Sequence, residues 1–225
     1  MRFVPLFAFA LAGCAVSHGV RPLARGQGAV TASFGGPISR DVPAPVAVPV
    51  PITTVGYAHG LTDRTAVHGA LHPTGLAAFG VFAADAGVTQ LLLEPNGARP
   101  RLMLDSGLIV AGGQVPGSAA KGGARLLAEA QLVASWDVGR HALYGGVDQL
   151  LQPFPRPGYF VTPLVGGLLS AGRVDLQLEY AWLVPTVSNE LQAASFVGPF
   201  GWGASAIKVG VAVNVGKSDA TEEAP

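Results

Sequence analysis

Apolar and polar positions alternate with a period of two along much of the chain, the spacing that puts successive side chains on opposite faces of a β-strand. The clearest stretch is 173–184. There Val174, Leu176, Leu178, Tyr180 and Trp182 interleave with Asp175, Gln177, Glu179 and Ala181. Residues 204–216 repeat the pattern, with Ile207, Val209, Val211, Val213 and Val215 set against Lys208 and Asn214, and 124–137 do so more loosely, with Leu126, Leu132 and Trp136 against Glu129, Gln131, Ser135 and Asp137. A slip of one residue would exchange the two faces, so each such strand has a strongly specified register. Short runs of this kind, separated by Gly, Pro, Asn and Asp, predict about ten strands. They lie near 27–35, 52–59, 64–72, 76–92, 99–111, 124–137, 141–151, 159–170, 173–184 and 204–216.

The predicted connections alternate in length. Residues 60–63, Asn96-Gly97, 137–140 and 171–172 are tight turns, whereas 36–51, 112–123, 152–158 and 185–203 are longer Gly- or Pro-rich segments; His72-Pro73-Thr74-Gly75 is a short exception among them. An even number of strands with short turns at one end and long loops at the other resembles the outer-membrane β-barrels. The resemblance covers roughly 27–216 and includes the turn Gly60-Leu61-Thr62-Asp63-Arg64. It implies an all-β fold: a closed, antiparallel, up-and-down transmembrane barrel of about ten strands, with termini periplasmic and long loops extracellular.

Composition fits that reading. The 225 residues hold 14 basic and 14 acidic side chains, only 12% charged, about half the usual share for a soluble domain. Balanced charge without basic clusters supplies no footprint for nucleic acid. A central lipid-facing charge would cost on the order of 2–4 kcal/mol for a base and less for an acid. Asp105, Glu129, Tyr144, Asp148, Asp175, Glu179 and Lys208 are therefore assigned to the lumen, an acidic interior partly balanced by Lys208 and Arg101. Trp136 near a short turn, and Tyr159, Phe160, Tyr180, Trp182 and Trp202 near the long loops, resemble two interfacial girdles. Ten strands enclose too little space for a broad water-filled pore, which needs about sixteen.

The first residues have a different character. Arg2 precedes an apolar run from Phe3 to Ala12, the outline of a secretory signal. Its end, Leu11-Ala12-Gly13-Cys14, resembles the lipobox of bacterial lipoproteins. That resemblance implies cleavage after residue 13, lipid modification at Cys14, including a palmitate-type acyl chain, and, because Ala15 follows, delivery to the outer membrane. Residues 14–26 then form a lipidated linker, 27–216 the barrel and 217–225 a polar tail.

Other chemistry is sparse. His68 and His72 would lie ~13 Å apart on one face of a strand, too far to share an ion. Gly201-Trp202-Gly203-Ala204-Ser205-Ala206 has dinucleotide-fingerprint spacing but leads into a valine-rich strand, where the fingerprint needs a helix. No catalytic, cofactor or metal residue is assigned. The expected role is structural, or narrow permeation of small solutes, with membrane lipids as partners and a small solute or protein at the long loops. Two alternatives have distinct signatures: a soluble, lipid-anchored barrel with apolar faces inward around an apolar ligand, and an outer-membrane hydrolase using Asp41, His72 and Glu190 on the outer rim.

Overall fold

The computed structural model describes residues 19–40, 47–49, 52–113, 123–154, 157–188 and 196–216. The strands are β1 (Gly28–Ser39), β2 (Val48–Pro49), β3 (Ile52–Thr62), β4 (Thr65–Leu71), β5 (Val81–Leu93), β6 (Arg101–Gly113), β7 (Gly123–Val138), β8 (His141–Phe154), β9 (Gly158–Ala171), β10 (Val174–Ser188) and β11 (Trp202–Val215). Apart from the two-residue β2, which pairs only with the end of β1, they form a ring of ten. Each strand pairs antiparallel with its sequence neighbour, and β11 returns to β1 over Gly28↔Val215 to Pro37↔Ala206. Closure leaves no open edge among the ten, so their backbone donors and acceptors are met within the sheet.

The period-two pattern sets the faces of this ring. On β10, Leu178 is 57% exposed and its neighbour Glu179 only 4%. On β6, Met103, Asp105, Ile109 and Ala111 are buried while Leu108 and Val110 are exposed. The same alternation runs round the ring: apolar side chains outward, a mixed set of carboxylates, hydroxyls and small apolar groups inward.

One predicted strand start is corrected. Residues 76–79 do not extend a strand; Pro73–Phe79 form a seven-residue helix, α1, and β5 begins only at Val81. Pro73 suits the first helical position because its missing N–H would be unpaired there. Gly80 ends α1 in the left-handed region at φ 63, its N–H donating to the Leu76 carbonyl at 3.1 Å. The short exceptional turn thereby becomes a nine-residue connection, 72–80, whereas the predicted loop 152–158 shrinks: β8 runs to Phe154 and β9 starts at Gly158, leaving three residues between them, fewer than the seven between β5 and β6 at the opposite end. At the long-loop end the returning chain closes on the barrel: Val197 N donates to the Ile38 carbonyl at 2.9 Å, and Phe196 packs against an interior apolar cluster.

The barrel lumen as candidate functional site

Six of the seven residues assigned inward from the sequence are buried: Asp105, Glu129, Tyr144, Asp148, Glu179 and Lys208. Asp175 is half-buried, borders an interior cavity and accepts a hydrogen bond from Asn214 Nδ2 at 3.2 Å. Arg101 lies at the short-turn rim, where its Nη2 meets Asp137 Oδ2 at 2.9 Å.

Two polar networks cross the lumen wall, each routed over a glycine. In the first, Tyr144 on β8 stands opposite Gly166 on β9, Gly166 opposite Glu179 on β10, and Glu179 opposite Lys208 on β11. With no side chain at 166, the phenol reaches across β9: its OH donates to Glu179 Oε2 at 3.2 Å and accepts from Gln177 Nε2 at 2.7 Å. A Cβ at 166 would fall 2.3 Å from the Tyr144 hydroxyl oxygen. Lys208 Nζ closes the row on Glu179 Oε1 at 3.1 Å. A buried carboxylate and ammonium are tolerable because each partners the other.

The second network lies on the far side, on β4 to β6. His68 stands opposite Gly87, where an added Cβ would come 2.7 Å from its Nε2, and the ring passes over that glycine to Asp105 at 3.0 Å. Thr89 Oγ1 donates to the other Asp105 oxygen at 2.6 Å. Asp85 joins the two histidines: His72 Nε2 donates to its Oδ2 at 2.8 Å, and His68 Nδ1 stands 3.9 Å from its Oδ1. The histidines are thus linked through a carboxylate that the sequence reading passed over, because it tested only whether one ion could bridge the pair. Asp85 falls in step with the inward positions of β5, which is the signal that could have found it. His59, by contrast, points outward and stacks on Tyr57. Among the described residues no group of three or more acidic, histidine or cysteine side chains is placed to hold a metal ion.

Between these networks the lumen is filled by side chains. Val133, Ala142, Leu164, Leu168, Ala181 and Ala206 form the larger apolar cluster; Ile109, Leu127 and Leu150 form another, against which Phe160 packs. Phe160 therefore belongs to the interior and not to the outer girdle, since its position on β9 is in step with Thr162 and Leu164. Tyr159 and Trp202 do face outward at the long-loop end, and Trp136 does so near a short turn.

The short-turn mouth is covered by chain that precedes the barrel. Val20, expected to be part of a linker, is only 4% exposed and packs in the larger lumenal cluster, with Ser135 Oγ donating to its carbonyl at 3.2 Å. Arg21 pairs with Asp137 at 2.8 Å and donates to the carbonyls of Arg140 and His141 at 2.8 and 2.7 Å. A cavity of about 90 Å³, large enough for several waters, remains between residues 19–23 and the wall, bordered by His68, Thr89, Met103, Asp175 and Gln177. Asp41, Glu190 and Cys14 lie outside the described residues, so the rim constellation and the lipidation motif have no structural account.

No family model matches the chain, and no curated protein does. Among solved structures it is similar to the translocator domain of the autotransporter NalP from Neisseria meningitidis, at 12% sequence identity and a TM-score of 0.44 over 92% of each chain. The closed antiparallel barrel itself rests on the strand pairing described above.

Proposed function

We propose that the chain is a lipid-anchored outer-membrane β-barrel whose filled lumen gives it a structural or interaction role, with any passage restricted to small solutes. The observation that carries this reading is the sidedness of the wall. Val30, Phe34, Val55, Leu108, Leu143, Val165, Leu169 and Leu178 are all exposed on the outside while carboxylates and Lys208 are buried within. In water such a continuous apolar exterior would far exceed the few hundred Å² that soluble monomers leave uncovered. Acyl chains are the solvent it fits, and a closed ring is the sheet that can enter them.

The same sidedness weighs against a soluble barrel holding an apolar ligand, which needs the Val and Leu faces turned inward. No catalytic role is proposed: the His72 ring is fully buried and engaged by Asp85. The lipid on Cys14, the periplasmic termini and the extracellular long loops belong to the proposal on the strength of the lipobox and the alternation of connection lengths.

The experiment compares the unaltered chain with Cys14→Ala after carbonate washing of membranes, together with migration of boiled and unboiled samples on gels. The expected result is that both proteins stay in the outer membrane and both shift on heating. Release of Cys14→Ala into the soluble fraction would show that the lipid alone holds the protein, and would replace this reading with that of a tethered soluble barrel.

A further inference from the structure

The segment before β1 does not run away from the barrel. From the start of β1 the chain passes close beside β3, where Gly26 N donates to the Gly60 carbonyl at 2.8 Å and a Cβ on Gly60 would meet the Ala24 carbonyl at 2.1 Å. It then reaches Asp137 at the end of β7, five strands from β1 whichever way the ring is followed. Residues 20–24 therefore span a diameter of the short-turn mouth.

The strap is fixed unequally along its length. Its far end holds chiefly by the Arg21 guanidinium, which engages Asp137 through Nε at 3.1 Å and Nη2 at 2.8 Å and also reaches Ser170 Oγ at 3.2 Å, with the single Ser135 bond to the Val20 carbonyl beside it. One apolar side chain, Val20, is seated in the lumen, while Arg21, Pro22 and Leu23 are only half-buried and Ala24 and Arg25 are exposed. None of residues 19–25 joins the sheet. Behind the strap lies the 90 Å³ cavity, so its inner side is incompletely packed. A strand of the ring can leave only by breaking two ladders; the strap leaves by giving up the Arg21 guanidinium cluster, the seated Val20 with the Ser135 bond to its carbonyl, and the bond from Arg25 N to Asp63 Oδ1 at 3.1 Å, and it regains chain entropy.

We propose that residues 19–25 are a releasable stopper of the short-turn mouth, with Arg21 as its latch, and that release opens the cavity beside His68, Thr89 and Asp175 to water and small polar solutes from that end. The proposal rests on the barrel reading and gives it a controlled entrance. Tension on the chain N-terminal to Gly19 would act directly on the latch.

Labelling of a lumenal thiol tests it. In the full-length chain carrying Cys14→Ala, a reporter Ala66→Cys borders the cavity, and a control Thr162→Cys is buried on β9 toward its long-loop end, away from the cavity lining. Each is exposed in micelles to 2-aminoethyl methanethiosulfonate. With the strap intact, the reporter at 66 is expected to react slowly but to completion. Arg21→Ala should accelerate it by about tenfold or more, as loss of charge-assisted hydrogen bonds implies, and Arg21→Lys should fall between; the control rate should not change. Equal rates at 66 with and without Arg21, or no reaction in either while the unboiled protein still runs as a compact species, would overturn the stopper and leave the barrel standing. Loss of heat-modifiable migration in the parent protein would overturn the barrel reading itself.

Discussion

At the scale of single residues, the lumen depends on side chains that reach across a neighbouring glycine. Tyr144, Gly166, Glu179 and Lys208 form one row over four strands, and the ion pair between Lys208 and Glu179 is almost completely buried. Removing one charge leaves the other without compensation in a medium where that is costly. Lys208→Met is therefore expected to destabilise the folded barrel by about 3–5 kcal/mol, and the double variant Lys208→Met/Glu179→Gln to recover much of that loss. Urea unfolding of the two singles and the double measures the coupling directly, and simple additivity would show that the pair contributes nothing. Gly166→Val should cost about 1–3 kcal/mol by forcing the phenol out of its path. Because Tyr144 then loses Glu179, the penalty should shrink in a Tyr144→Ala background; an equal penalty in both would mean that the backbone, not the ring, sets the requirement for glycine.

At the scale of elements, the strands were legible and their interruptions were not. β10, β7 and the β11 alternation could be read because period two survives wherever one face meets an apolar medium and the other a polar interior, and that contrast also assigned Asp105, Glu129, Glu179 and Lys208 inward. Residues 73–79 carry no such contrast: Leu76-Ala77-Ala78-Phe79 is apolar throughout, which a buried strand and a short helix share, and the decisive feature was Pro73 and Gly80 at the two ends. Gly80→Val should weaken α1 by about 1 kcal/mol or more, since the left-handed conformation penalises a β-branched residue. The ring does not depend on this helix, so hydrogen exchange should quicken at the amide of position 80, which closes α1 on the Leu76 carbonyl, and remain unchanged at Leu178; quickening at both would make α1 part of the barrel's cooperative unit. The strap was illegible for another reason. Gly19 to Arg25 has neither period, and a single valine and a single arginine leave no pattern in sequence even when both are anchored in the fold.

At the scale of the whole molecule, the question is which solvent the outer surface meets, because the strand alternation by itself is symmetric between an apolar exterior and an apolar interior. Adjacent positions on β10 separate the two. Leu178 points away from the lumen and Glu179 into it, so spin labels at these sites should report opposite environments in vesicles. A label at 178 should collide readily with dissolved oxygen, which concentrates among acyl chains, and poorly with a water-soluble nickel chelate; a label at 179 should be hindered toward both, since the lumen is packed. A charge placed at 178 should also be felt. Leu178→Arg is expected to lower the stability of the inserted barrel by about 2–4 kcal/mol if the position lies near the bilayer centre, and by less toward either interface. The two measurements fail in different ways. Strong nickel accessibility at 178 would place the apolar wall in water and remove the membrane reading altogether, whereas oxygen-rich collisions combined with a negligible arginine penalty would keep the barrel in lipid and move this stretch of β10 to the edge of the hydrocarbon. The second outcome would shift the apolar belt along the strands and leave the sidedness of the wall intact.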